Sequence, residues 1–320
     1  MREYIAKRVL LMVPTAILAT LIVFALMKVA PGDPATAILA DLDVISQEAE
    51  AEAEARIRAQ LGLDKPLPIQ YLNWLGAVAR FEFGDSIWQY RPVRDIVLER
   101  LPRTMELGAL IVLLTALWAV PGGIISAVQH NKMTDQVLRV LSISGLSIPN
   151  VWLGTLVIFA LAAYFNWLPS LRWHSPMDDL GANLSHIIFP AIIVSSSTGA
   201  SILRMTRSQM LEVLREDYVR TARAKGLGFQ LVLIRHALRN ALLPVLTQFG
   251  GLMGVMITGV VVTETIFQVP GMGRAMVEAI GSRDYPIIQG LVLLNIAMVL
   301  IINLIVDLLY SVIDPRIRYA

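Results

Sequence analysis

Between residues 204 and 239 the chain carries eight cations, Arg204, Arg207, Arg215, Arg220, Arg223, Lys225, Arg235 and Arg239, offset only by Glu212, Glu216 and Asp217. Such a stretch supports ion pairing, with an acidic protein surface or with anionic headgroups. Candidates for bond-making chemistry are scarce. The four histidines (His130, His174, His186, His236) lack the spacing of zinc ligands. No Gly-Lys pair is present to build a phosphate-binding loop. Gly145-Leu-Ser147 is followed by Pro149 where a nucleophile elbow needs glycine. The chain has no cysteine, hence no disulfide or thiolate site. No catalytic residue and no metal site is assigned, and the net charge of +2 leaves no nucleic-acid footprint. Three acids lie at or inside apolar stretches, where an ionisable group is a functional candidate by default: Glu106, Glu264 and Asp307.

The elements that hold these residues are membrane spans. Of 320 residues 56% are apolar and 16% charged, with a mean hydropathy of +0.63, whereas soluble domains carry roughly 25% charge. Apolar stretches long enough to cross a bilayer fall at about 9–29, 104–128, 140–165, 186–207, 242–263 and 287–313. The first is too long for a signal-peptide core and Lys28 spoils a cleavage site before Ala30, so it reads as a retained span, kinked at Pro14. Pro121-Gly-Gly123 predicts a kink in the second. Ser142, Ser144, Ser147, Pro149 and Asn150 make the third unusually polar, for helix packing or for a water-lined path. Gly250 and Gly254 form a small-xxx-small pair in the fifth, for helix packing within the chain or with a second subunit.

Charge sets the expected orientation. The segments 1–8, 129–139, 204–241 and 314–320 hold most of the cations, while the short loops 166–186 and 264–286 hold only Arg172, Arg274 and Arg283. The positive-inside rule then puts both termini in the cytoplasm. The fold class expected is an all-α polytopic membrane protein, a single transmembrane domain over 1–320, with a long outer loop at 30–103 and a cytoplasmic loop at 208–241. The outer loop has twelve acidic and eight basic residues. It opens with a turn at 30–35, APGDPA, and continues with a helix capped by Ser46, led by Glu48, Glu50, Glu52 and Glu54 and stopped at Gly62.

Within 208–241, Leu211, Leu214, Tyr218, Thr221 and Ala222 fall at helical steps of three and four. Gly226 and Gly228 break that helix, and a second short one can run through 231–239. Two short amphipathic helices with a glycine corner make a knob suited to docking on a soluble partner. A membrane-surface helix without a partner is the plainer reading.

The run DYVRTARAKGL at 217–227, followed by RHALRNALLP at 235–244, resembles the cytoplasmic signature loop of ABC importer permeases, and more narrowly the B-type permease of the dipeptide/oligopeptide (peptide/nickel) family. The family pattern is Glu-Ala-Ala, three residues, then Gly, with Ile-x-Leu-Pro further on. Here Arg220-Thr221-Ala222 and Gly226 stand in the first places, His236 and Arg239 in those of the Ile and the Pro, and Pro244 follows. That departure is the one that separates peptide-type from sugar-type permeases. Further blocks match in order: LGLDKPLPIQYLNWL at 61–75, FGD at 83–85, RPV at 91–93, VVTETIFQVPGMG at 261–273, RDYPIIQG at 283–290 and NLIVDLLYSVIDPRIRY at 303–319.

The resemblance implies a type I ABC importer permease fold with six transmembrane helices. It implies a second, C-type permease subunit, two ATP-binding cassette subunits that carry ATP and Mg, and an extracytoplasmic substrate-binding protein. No cofactor is expected on this chain, which is not itself an enzyme, and the place is the cytoplasmic membrane. The residues expected to couple to the ATPase are Arg220, Thr221, Ala222, Arg223, Ala224, Lys225, Gly226 and Leu227. Their small members would allow close approach, and Arg223 and Lys225 would pair with acids or stay solvated. Residues 30–103 would be a cap on the first two spans, a docking surface for the binding protein, or both. Glu264 is a candidate for an outer gate, for a contact with a peptide ammonium, or for a structural ion pair. Asn295 and Asn303 would line the path or bridge helices, and Asp307 completes the pathway set. Within the family nickel complexes, glutathione or other small solutes are alternative cargo. An ion-coupled carrier would need inverted repeats and midplane charges, and a membrane protease a catalytic dyad; neither pattern is evident.

Overall fold

The computed structural model describes the backbone of residues 2–29 and 64–313 and the side chains of 8–26, 28, 64–253 and 260–308. The turn at 30–35, the Ser46-capped helix, the stop at Gly62 and the side chains of Arg2, Lys7, Arg316 and Arg318 lie outside the described residues. The described residues form helices joined by turns and loops, with one isolated antiparallel bridge between Asp85 and Pro92. The helices are α1 (Arg2–Val29), α2 (Leu67–Ala79), α3 (Val93–Val128), α4 (Met133–Ser147), α5 (Asn150–Phe165), α6 (Leu180–Val213), α7 (Asp217–Ala224), α8 (Arg239–Gly259), α9 (Val261–Ile266), α10 (Met272–Ser282) and α11 (Tyr285–Ile313).

Among the described residues four helical stretches are long and apolar enough to cross a membrane: Arg8–Leu26, Val93–Val128, Leu180–Val213 and Tyr285–Leu308. The pair α4 and α5 qualifies together but bends by 99° at its break. The stretch expected as a third span, 140–165, thus falls on a bent helix pair that starts earlier, at Met133. The cause of the bend is local: Pro149 pushes Ile148 out of the helical region, to φ −91 and ψ 120. Several helices also outrun their expected spans. α3 starts at Val93 rather than near 104, and α6 covers 180–213 rather than 186–207. The loop 264–286 contains α9's end and the whole of α10.

The chain forms two compact units, Met1–Ala6 with Leu101–Arg274 and Met298–Ala320, and Lys7–Arg100 with Ala275–Ala297. In the first, α6 is the axis. Buried residues run along its length, from Ile187, Ala191 and Val194 through Ile202 and Leu203 to Met210. Against them pack Leu107 and Ile111 of α3, Val245 of α8, and Phe267 with Val269 beyond α9. Phe267, Leu107, Ile111 and Leu203 are fully enclosed, each such side chain contributing about 1.5–3 kcal/mol relative to exposure. Gly250 of α8 touches Val306 of α11, where a Cβ would come within 2.6 Å. The small residue at 250 thus serves packing inside this chain, so a contact with a second subunit is not needed to explain it.

In the second unit, Tyr71 and Trp74 of α2 pack on Phe24 of α1, with ring centroids 5.5 and 5.6 Å away. Trp88 donates from Nε1 to the Ser282 carbonyl at 2.7 Å. Asp284 caps α11, its carbonyl accepting from Ile288 N–H at 3.1 Å, while its Oδ2 takes the Ser86 hydroxyl at 2.5 Å.

Candidate functional site

α6 ends at Val213, and the turn 214–216 is closed by the N–H groups of Arg215 and Glu216 donating to the carbonyls of Glu212 and Val213. Asp217 then opens α7 in the first turn, where a carboxylate complements the helix dipole. The inward face of α7 is Val219 and Ala222, which join Val232 in a small core with Val213, Leu214 and Leu227 around it. The expected face included Tyr218 and Thr221; both are exposed, because the turn after α6 resets the helical phase between Leu214 and Asp217. Tyr218 instead accepts at Oη from Asn240 Nδ2 at 2.8 Å, tying the start of α7 to α8.

The C-terminus of α7 is a Schellman motif. Gly226 N–H donates to the Arg223 carbonyl at 2.9 Å and Leu227 N–H to the Ala222 carbonyl at 3.4 Å. Leu227 packs back against Ala222, completing the motif. Gly226 has φ +79, the left-handed position that such a cap needs, and nothing lies within 4 Å of a Cβ added there. Glycine at 226 therefore answers to backbone conformation, not to crowding.

Gly228 leads into a helical turn, Phe229–Leu231, then a π-helical stretch, Val232–Leu238, and then α8 without a gap. The expected separate second helix at 231–239 is corrected: this segment is the lower end of α8. The π geometry has a reason in the pattern, since Val232 and Ala237 are both buried at a spacing of five, and Ala241 and Val245 follow at four. Arg223 lies over the Phe229 ring, 5.4 Å from its centroid. The outward ridge of α7 comprises Tyr218, Arg220, Thr221, Arg223, Ala224 and Lys225, with Arg215 beside it.

Directly above, a second arrangement uses Arg207. Its Nε and Nη2 donate to the two oxygens of Asp135 at 2.8 and 2.9 Å. Asp135 is fully buried and also accepts from Ser126 Oγ at 2.5 Å and from Asn131 N–H at 3.0 Å. Four donors on two carboxylate oxygens join α3, α4 and α6. At the far end of α6, Glu264 is likewise fully buried. Its Oε1 accepts the Thr104 hydroxyl at 2.7 Å and its Oε2 the Arg274 N–H at 3.0 Å, while Met272 N–H donates to Thr104 Oγ1 at 2.8 Å. Gly271 sits so close that a Cβ would collide with the Glu264 carboxylate.

Comparison with known proteins gives the family. Residues 119–319 match the model of the binding-protein-dependent transport system inner membrane component, and residues 1–108 match that family's membrane-component N-terminal model. The chain belongs to this family. It is 38% identical over 322 residues to the oligopeptide transport system permease protein AppB of Bacillus subtilis, covering all of both chains. It is 38% identical over 343 residues to the dipeptide transport system permease protein DppB of Escherichia coli K12, and 40% identical over 340 residues to the di/tripeptide transport system permease protein DppB of Pseudomonas aeruginosa. In each case all of this chain and 99% of the relative are covered. The resemblance to B-type peptide permeases read from the motifs is thus borne out, as is the membrane location.

Within this permease the residues expected to couple to an ATPase divide. Arg220, Thr221, Arg223, Ala224 and Lys225 stand outward on α7, whereas Ala222 and Leu227 turn into the chain's own small core and Gly226 caps the helix. The pathway set is scattered over different environments. Glu264 is enclosed, Asn303 is exposed, Asp307 is half-buried, and Asn295 leaves a buried Oδ1 without a partner among the described residues. Asp135 and Ser126 belong to no motif in the sequence. The one available signal is an acid, Asp135, alone between Lys132 and Arg139.

Proposed function

We propose that this permease is one of the two membrane subunits of an ATP-driven importer for di- and oligopeptides, forming half of its translocation pathway. The names of its relatives, which carry dipeptide, di/tripeptide and oligopeptide transport, support the substrate class. In this reading the chain crosses six times, at about 9–29, 104–128, 140–165 (bent at Ile148), 186–207, 242–263 and 287–313, with both termini cytoplasmic, a reading supported by hydropathy and charge. The remaining parts are separate chains: a C-type permease, two ATP-binding subunits holding ATP and Mg, and an extracytoplasmic substrate-binding protein.

The observation that carries the coupling role is α7 itself. It is one short helix, locked from beneath by Val219 and Ala222, pinned to α8 through Tyr218 and Asn240, and stopped by a full cap, with a cationic ridge outward. A helix held this way transmits displacement instead of absorbing it. When ATP draws the two ATPase subunits together, the groove holding α7 moves, and α6 and α8 move with it. Their rocking exchanges inward-open for outward-open access, with ATP binding supplying the differential stabilisation of one state.

The test is reconstitution with the chains encoded beside it, followed by peptide uptake and ATPase measured together. Ala224→Trp adds bulk outward and leaves the inner face of α7 alone. Peptide uptake is expected to fall at least tenfold while the complex still assembles. Unchanged uptake by that variant, or transport by this chain alone without ATP, overturns the reading.

A further inference from the structure

α6 carries Ser197, Ser201, Arg204 and Ser208 at steps of four, three and four, which places them on one helical face. Ser197 and Ser201 are half-buried, and Arg204 and Ser208 exposed. A hydroxyl and guanidinium stripe along a span is not a lipid-facing surface. α4 flanks it with Arg139 and Ser142, and α8 with Gln248. With Ser201, Arg204, Arg207 and Ser208 of α6 these residues line an open cavity of about 560 Å³, within the range of small-ligand sites.

The groups around this cavity are only partly used by the fold: Ser142 Oγ donates to the Arg139 carbonyl at 2.9 Å, which leaves its lone pairs open. Arg207, at its edge, is committed to Asp135. Arg139 and Arg204 have no carboxylate partner among the described residues. Gln248 Nε2 meets Ser201 Oγ at 2.5 Å, and its Oε1 is buried without a partner. If the amide is turned over, Oε1 accepts from Ser201 and the NH₂ is the group left over. In either orientation the amide is tied to Ser201 Oγ, and its other atom lies enclosed behind the cavity wall.

We infer that this cavity is a contact station on the inner half of the pathway for the carboxylate end of the transported peptide. Arg139 and Arg204 supply the charge, and Ser142 and Ser201 meet the adjoining amide. The inference rests on the peptide-import reading above. Two guanidinium groups bordering hydroxyls match the order of groups at a peptide's C-terminus, charge first and amide next. Exposed guanidiniums hold it weakly, as a conduit requires.

The chain has no cysteine, so a single introduced thiol reports one position. The experiment uses the assembled complex in nanodiscs, with Ser201→Cys and, separately, Ser208→Cys. Labelling by an anionic thiol reagent is expected to outrun a cationic one of equal size by about tenfold, the low end of focusing in a charged cleft. Adding Arg139→Gln and Arg204→Gln abolishes that preference. A dipeptide with a free C-terminus slows labelling several-fold, and its C-terminal amide does not. No labelling at either position means that lipid or the second permease covers the face, which overturns the inference. Equal protection by the two peptides overturns the carboxylate contact. Peptide uptake without any protection sinks the inference and leaves the import reading standing. A wild-type complex that takes up no peptide removes the import reading, and the inference with it.

Discussion

Two regions of this permease are built from the same run of arginines and use them in opposite ways. Arg207 lies beneath the surface, spends both ends of its guanidinium fork on Asp135, and cross-links α3, α4 and α6. Fewer than twenty residues later, Arg220, Arg223 and Lys225 stand on the outward ridge of α7. The ion pair there among the described residues, Arg220 with Asp217, spans 3.2 Å between side chains 76% and 94% exposed. A count of cations treats all of them alike as votes for one side of the membrane. Three-dimensional placement separates a structural tie from a surface that is open to another protein.

The sharpest way to break this contrast is Asp135→Ala. It leaves the Arg207 guanidinium partly buried without its carboxylate and deprives Ser126 and Asn131 of their acceptor, a loss of about 3–5 kcal/mol by analogy with other broken buried pairs. Thermal unfolding of the purified complex is the measurement, and the double change Asp135→Leu with Arg207→Met is expected to recover much of the loss. If Asp135→Ala is no less stable than a charge change on α7, the two regions do not differ as described.

Glu264 extends the comparison to the other end of α6. Glu264→Gln keeps the shape but turns one oxygen into a donor, which must face either the Arg274 N–H or the already occupied Thr104 hydroxyl. The expected cost is about 1–3 kcal/mol, read as lower thermal stability with peptide selectivity unchanged. A gate residue would give the reverse, with altered uptake at normal stability.

Much of this was legible in the sequence, and the misses have physical causes. Long apolar runs located α1, α3, α6 and α11, because a span is a property of composition. The signature at 217–227 located α7, because the helix, its cap glycine and its neighbours are contiguous. Helical phase was misread where a turn intervenes: Leu211 and Leu214 do not share a face with Tyr218 and Thr221, since 214–216 leaves the helix. The bend at Ile148 follows from Pro149, yet hydropathy alone carries straight through it. Asp135 stands out only as a lone acid, because its side-chain partners lie nine residues before it and seventy-two after it. Local sequence does not name such partners. Glu264 was noticed for its charge, but its role depended on Thr104, 160 positions away.

The third test concerns what keeps α7 rigid. Gly226→Ala puts a Cβ on a residue at φ +79, which costs about 1–2 kcal/mol. The space around it is open, so strain is the only penalty. Hydrogen exchange at Gly226 and Leu227, whose N–H groups close the cap, is expected to accelerate while the α6 core stays protected. Gly226→Asn is expected to be milder than Gly226→Ala, since asparagine tolerates that conformation. If alanine and asparagine behave alike, conformation is not what position 226 requires.

The smallest effect is expected at Arg220. Its pair with Asp217 is exposed and three residues apart on one helix, a geometry that contributes no more than about 0.5 kcal/mol. Arg220→Ala is therefore expected to leave thermal unfolding of the complex unchanged within error, whereas Asp135→Ala does not. Function is expected to respond where stability does not. Removing one cation from the rim of a docking surface slows association and raises its sensitivity to salt more than it weakens the final contact. The check is binding-protein-stimulated ATPase at low and high ionic strength. Arg220→Ala should lower it modestly at low salt and scarcely at high salt, where the wild-type charge is already screened. An equal loss at both salt concentrations would mean that Arg220 makes a close contact with the ATPase subunit, and the outward ridge would then hold an anchoring residue as well as a steering charge.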